Sequence, residues 1–184
     1  METIVSRVNS FKEEYYKSNK KNALFKEKQK AELAALIISN FNVDELIEAS
    51  IRNLENTNKV YIDYTIFKLY ANESVYNKII ETILNKFDIA ITKYGNFECH
   101  INIEGFTITA AQRYQGLIGL FCDKCVEINS THTDSLVTFN VYYPPHIMDP
   151  IRKILGPFIH KDIKHKINII SKENSESQLK LLNL

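Results

Sequence analysis

Two cysteines three residues apart, Cys122-Asp-Lys-Cys125, are the first residues whose type and spacing could do chemistry. A closed zinc site needs four ligands, and this pair supplies two. Cys99, His100 or His132 could add to it, but none belongs to a second paired motif. A dithiol redox pair needs its first cysteine at a helix N-terminus after a strand. The surrounding GLFCDKCVEI has no helix-start residue at that point. The remaining reading is a pair of small apolar side chains in the core. The five histidines form no His-Glu-x-x-His and no pair four apart. No Gly-x-Ser-x-Gly elbow and no glycine-rich phosphate loop is present. These residues predict no catalytic group, no bound metal and no resident cofactor.

The most sharply bounded stretch is instead apolar. In YYPPHIMDPIRKILGPF, Tyr142 to Phe158, two prolines end a strand, Asp149-Pro150 opens a helix and Gly156-Pro157 closes it. Asp149 is a natural N-cap, and Pro150 fits the first helical position, which needs no amide hydrogen. Gly156 is expected to supply a left-handed stop. Ile147, Met148, Ile151, Ile154, Leu155, Phe158 and Ile159 fall on one side, Arg152 and Lys153 on the other, and Lys161, Lys164 and Lys166 follow. Two readings stay open from the pattern. One is an amphipathic helix packed on a core; the other is a movable lid, with its apolar face over a cavity and its cations toward an anionic membrane.

The elements that must position these residues come from the wider chain. Its 184 residues, 45% hydrophobic and 24% charged, suffice for one compact domain with an added helical piece. A net charge of +1 argues against nucleic acid as a partner of the whole molecule. No apolar run is long enough to span a membrane. The acid-containing start METIVSRVNSFKEEYYK does not read as a secretory signal. An odd number of cysteines points to a reducing compartment, cytoplasmic or another intracellular one.

Residues 1–57 read as a helical segment: Ile4, Val5, Val8, Phe11 and Tyr15 share a face, AELAALIISNF forms a second helix, and Asn42 or Asp44 caps a third. The lysine-rich stretch Lys17 to Lys30 between the first two reads as a solvated face. KVYIDYTIFKLY, with Val60, Ile62, Tyr64 and Ile66 alternating, is predicted as a strand. A helix with Val75, Ile79, Ile80, Ile83, Leu84 and Phe87 follows, capped by Asn72 or Ser74. FDIAITKYGNFECHINI reads locally as a hairpin turning at Gly95-Asn96, with Phe97, Cys99, Ile101 and Ile103 on one face of its second arm. TAAQRYQGLIGLFCDKCVEI fits helix or strand, LVTFNVYY is a strand, KINII another, and 171–184 a tail. The order predicts an α/β fold, with a sheet covered by helices.

Beyond residue 100 the chain resembles the CRAL-TRIO lipid-binding domains, the fold of secretory phosphatidylinositol-transfer proteins. Asn102-Ile103-Glu104-Gly105-Phe106 resembles that family's acidic strand end, and Thr133-Asp134-Ser135-Leu136 stands where it has Pro-Glu-Arg-Leu. Tyr143-Pro144-Pro145 resembles its Asn-Ala-Pro, Gly156-Pro157-Phe158 the end of its gate helix, and Lys166-Ile167 its last strand. The spacing of Leu136, Pro145, Pro157 and Lys166 agrees with the family pattern. The likeness covers roughly residues 58–170, with 171–184 left as a C-terminal tail.

The resemblance implies a mixed, mostly parallel sheet flanked by helices, with a mobile apolar gate helix. Ile147, Met148, Ile151, Ile154, Leu155 and Phe158 would line the gate side of a lipid cavity, and Phe106, Phe139 and Val141 its floor. Asp134 would accept head-group hydroxyls and Lys166 would pair with phosphate. The positions of the family's phosphocholine-contacting hydroxyls fall at Phe97 and Cys99, which carry none. Burying acyl chains would be driven by about 0.8 kcal/mol per methylene. The implied function is non-enzymatic binding or transfer of one amphipathic, phosphoinositide-like lipid at a membrane surface, with the lipid as the only bound group. The alternative is a non-catalytic subunit of a larger complex, its cavity closed by bulky side chains. Such a subunit would meet a protein partner through the N-terminal helices or the QLKLLNL tail.

Overall fold

The computed structural model describes residues 2–21, 24–127 and 131–184. Asn22 and Ala23 of the lysine-rich stretch, and Ile128 at the end of the helix-or-strand segment, lie outside them. The chain is α/β. Strands β1 (Ile51–Asn53), β2 (Lys59–Asp63), β3 (Phe97–Asn102), β4 (Leu136–Tyr142) and β5 (Ile167–Ile169) form one sheet in chain order. β1 runs antiparallel to β2, and every other neighbouring pair is parallel.

That order decides where the helices go. Parallel neighbours taken in sequence, joined by right-handed crossovers, send every crossover helix to the same face. Accordingly α5 (Tyr76–Tyr94) and α6 (Ile108–Cys125) pack on each other, and, after the single turn α7 (His132–Ser135), α8 (Asp149–Leu155) packs on α6, with the single turn α9 (Lys161–Lys164) leading into β5. The strand residues facing them are Val60, Ile62, Phe97 and Cys99, with Ile101 and Phe139 partly buried beside them. Phe97 stacks on Phe87 of α5 at 4.2 Å between ring centroids. Helices α1 (Ile4–Ser18), α2 (Lys26–Asn40), α3 (Val43–Ser50) and α4 (Tyr64–Tyr70) join the same cluster through Val8, Ile37, Leu46, Ile47, Phe67 and Tyr70. Asn42 caps α3, its side chain accepting from the Asp44 and Glu45 amides.

Several local expectations change. The predicted strand KVYIDYTIFKLY is a strand only as far as Asp63, whose carboxylate then caps α4 by accepting from the Thr65 amide at 2.8 Å. Once that cap forms, Tyr64, Phe67 and Tyr70 bury at helical spacing, and tertiary packing overrides their β propensity. The predicted hairpin at Gly95-Asn96 is a helix end. Gly95, at φ +79°, donates to the Ile91 carbonyl and stops α5, so Asp88 to Tyr94 are helical and only β3 is extended. The segment open between helix and strand is α6. Ile51 leaves α3 for β1, where it pairs with Ile62.

α8 runs between the expected prolines, but Met148 takes the N-cap position and Asp149 is the first helical residue, so Pro150 is the second rather than the first. Gly156 is right-handed, at φ −54°. Its role is spatial, since a Cβ there would run into the Arg152 carbonyl oxygen. The tail contains a further helix, α10 (Lys172–Lys180), anchored by the fully buried Ser175.

Candidate functional site

A strand turns alternate side chains to opposite faces, and parallel strands buried on both faces normally read as continuous Val, Ile and Leu. Here one face departs from that. Register places Tyr61, His100 and Asn140 in one row with Asn168, and Asp63, Asn102 and Tyr142 in the next. Lys59, Glu98 and Thr138 form a third row. This polar face is turned away from α5 and α6. Between it and α10 lies a cleft of about 620 Å³, whose walls include Lys59, His100, Asn140, Tyr142, Asn168 and Gln178. Its volume lies within the roughly 300–1,000 Å³ usual for small-molecule sites. Ile170, Leu181 and Leu182 add apolar surface to the cleft.

The centre of the cleft is a hydrogen-bonded chain. His100, 4% exposed, contacts the Glu98 carboxylate through Nε2 at 3.2 Å and the Tyr142 hydroxyl through Nδ1 at 2.8 Å. An ionised carboxylate only accepts, so the network assigns the Nε2–H tautomer to the neutral ring. Nδ1 is then the acceptor, and the Tyr142 O–H donates to it, which leaves the phenol's lone pairs for another group. Burial holds the imidazole below its ordinary pKa, against the pull of Glu98 toward the charged form. Burial, then the Glu98 charge, pushes the Tyr142 phenol up to about 12. Asn168 donates from Nδ2 to Asn140 Oδ1 at 3.1 Å. At the rim Lys59 stands 4.0 Å from Glu98, and Arg52 lies over the Tyr61 ring. The arrangement can exchange donors and acceptors with a bound polar molecule; the Glu98–His100–Tyr142 chain can also shift a proton along its length.

α10 is tied to the end of β4. Tyr143 has a left-handed backbone, φ +52°, which is uncommon for a bulky side chain. Its amide donates to Ser175 Oγ at 2.8 Å, and Ser175 Oγ in turn donates to the Ser171 carbonyl at 2.9 Å. One buried hydroxyl therefore fixes both the strained strand exit and the helix beside the cleft.

The residues singled out by the resemblance lie elsewhere. Phe106 packs edge-on against Tyr64 at 5.0 Å, and Phe139 packs against the core. Val141 shares a register row with Ile101, on the helix-facing side of the sheet. Ile151 is buried, Met148, Ile154 and Leu155 are half-buried, and Ile147 is 61% exposed. The Phe158 ring covers Gly119 of α6, where a Cβ would come within 3.1 Å of it. α8 and the Phe158 ring thus lie on α6, on the opposite side of the sheet from the polar cleft.

Asp134 and Lys166 are brought together, but through the backbone. The Lys166 ammonium donates to the carbonyls of Leu136 at 2.6 Å, Thr133 at 2.9 Å and Asp134 at 3.5 Å, while the Asp134 side chain is exposed. Lys166 so ties the entry of β5 to the turn before β4. Cys122 and Cys125 sit in the last turn of α6, and burial raises their thiols to about 11 and about 12. Among the described residues no group of three or more His, Cys, Asp or Glu could hold a metal ion. No described helix is long and apolar enough to cross a membrane.

The sequence carried a signal for the cleft that the apolar reading passed over. Phe-Glu-Cys-His-Ile-Asn alternates, and its polar members Glu98, His100 and Asn102 meet Thr138, Asn140 and Tyr142 of the next strand. Polar alternation on adjacent parallel strands marks a face that does more than pack. No protein-family model matches the chain, and no curated protein matches it.

Proposed function

We propose that this is a non-enzymatic binding protein that holds one small amphipathic molecule in the cleft between the polar sheet face and α10. The observation that carries the reading is the buried His100, bonded to the buried Tyr142 and the half-buried Glu98, with the buried Asn140 and the exposed Asn168 beside it. Packing alone would favour aliphatic side chains at these central positions, since a buried polar group costs free energy unless it is paired. The cleft has two characters: imidazole, phenol and amides on the sheet, and Leu181 and Leu182, just past α10, on the other side. A polar head and an apolar body fit that division. A phosphoinositide-like lipid held under α8, as the CRAL-TRIO resemblance implies, would further require α8 to leave α6. The proline and Gly-Pro boundaries of α8 would let it move as a unit. Three free thiols suit a reducing compartment, and lipid exchange would place the protein at a membrane surface.

The second reading is a non-catalytic subunit of a complex, and one observation favours it. Ile151 and Phe158 are already packed on α6, so bulky side chains fill the space under α8. The test is native mass spectrometry of freshly purified protein, followed by organic extraction of what it carries. A one-to-one adduct that is lost from His100→Ala supports the cleft. A bare 21.3 kDa chain that loads nothing from liposomes, yet pulls down a stoichiometric protein partner, supports the subunit.

A further inference from the structure

At the opposite end of the chain, the connection between α1 and α2 exposes two large apolar side chains, Leu24 at 89% and Phe25 at 62%. Single exposed leucines are ordinary, but this pair has an unusual setting. Lys17, Lys20, Lys21, Lys26 and Lys28 flank it and are all exposed. From Lys17 to Lys30 there are six lysines and one carboxylate, in a chain whose net charge is only +1. That carboxylate, Glu27, is drawn away by an ion pair with Arg113 of α6 and another with Lys30 at 3.0 Å. Asn19 and Lys20 are tied to α2: the Gln29 side-chain amide donates to the carbonyls of Asn19 at 3.1 Å and Lys20 at 3.2 Å. Sequence alone reads this stretch as a solvated lysine face; the exposure of Leu24 and Phe25 within it changes the reading.

We propose that Leu24 and Phe25, ahead of α2, form a membrane-docking tip that enters the interface of an anionic bilayer, with the exposed lysines of α1 and α2 and their flanks resting on its head groups. The choice of partner follows from charge and polarity together. A nucleic acid would take the lysines but offers no apolar layer for Leu24 and Phe25. An anionic bilayer offers negative charge at its surface and hydrocarbon just beneath it, matching cations around an apolar tip. The inference does not rest on the cleft, which involves neither α1 nor α2.

The experiment is vesicle flotation of the full chain. One set of vesicles is pure phosphatidylcholine; in the other, about a third of it is replaced by phosphatidylserine. The wild type is expected to float only with the second set, and less so as salt is raised. Leu24→Ser with Phe25→Ser is expected to abolish flotation without lowering the urea midpoint, because Leu24 is 89% and Phe25 62% exposed and serine suits the N-cap position that Phe25 holds in α2. Lys20→Gln with Lys21→Gln is expected to weaken it by on the order of 25-fold, about fivefold for each lysine. His100→Ala is expected to float like wild type, which separates this surface from the cleft. Three results overturn the proposal: no flotation of the wild type with phosphatidylserine, equal flotation of the Leu24/Phe25 variant, or salt-sensitive binding to a single-stranded oligonucleotide without any vesicle binding.

Discussion

On the face of the sheet that meets α5, Phe97 stacks on Phe87 and Cys99 is fully buried. One residue along the same strand in either direction, Glu98 and His100 face the opposite side and join Tyr142 in a hydrogen-bonded chain. β3 therefore serves two environments with alternate side chains. The first is stabilised by area removed from water and needs only shape and volume. The second needs each polar atom to find its partner at the right distance, so its members depend on one another. Substitutions should separate the two faces: on the packed face the loss follows volume, on the polar face it follows unpaired atoms.

The largest effect is expected on the packed face. Phe97→Ala empties the site against Phe87 and should cost about 3–5 kcal/mol in urea unfolding, whereas Phe97→Leu, which keeps most of the volume, should cost much less. Equal losses from the two would break the volume argument. Lys166→Ala comes next, at about 1–3 kcal/mol, because it strips a charged donor from the Thr133 and Leu136 carbonyls. If Lys166 served only a ligand, the variant would keep wild-type stability and lose binding alone.

Ser175→Ala should cost about 1–2 kcal/mol, by leaving the Tyr143 amide without its acceptor. Faster hydrogen exchange at Tyr143 and along α10, with β3 unchanged, is the readout; uniform loosening of the whole sheet would contradict a local anchor. The smallest effect is one of pH. The folded state holds His100 below its ordinary pKa, so the unfolded chain takes up a proton first as pH falls below about 6.5. Stability is full above that pH and declines from there down to the lower folded value. The urea midpoint should fall between about pH 7 and pH 5.5, and His100→Gln should flatten that part of the curve. An unchanged slope in the variant would remove His100 from the account.

Much of the architecture could be read residue by residue. The helical repeat of α5, the β-branched run of β2, the proline boundaries of α8 and the asparagine cap of α3 are local signals, and they hold because neighbours a few residues apart satisfy them. Local rules failed where distant packing chose between two permitted structures. Tyr64 to Tyr70 have strand composition, yet they bury on Tyr114 and Ser50 as a helix. Gly95-Asn96 suits a hairpin turn, but helix propagation through Ile91 reaches it first.

Periodicity, caps and charge are written in neighbouring residues, and they suffice for an α/β chain with a helical start, an apolar helix before the last strand, and a lysine-rich stretch after the first helix. Which faces those elements present depends on packing between residues far apart in the chain. The sequential strand order put α5, α6 and α8 on one side of the sheet, set α8 against α6, and brought Glu98, His100, Tyr142 and Asn168 together from three strands. Register and crossover handedness govern that assembly, and both are properties of the folded sheet rather than of any one strand.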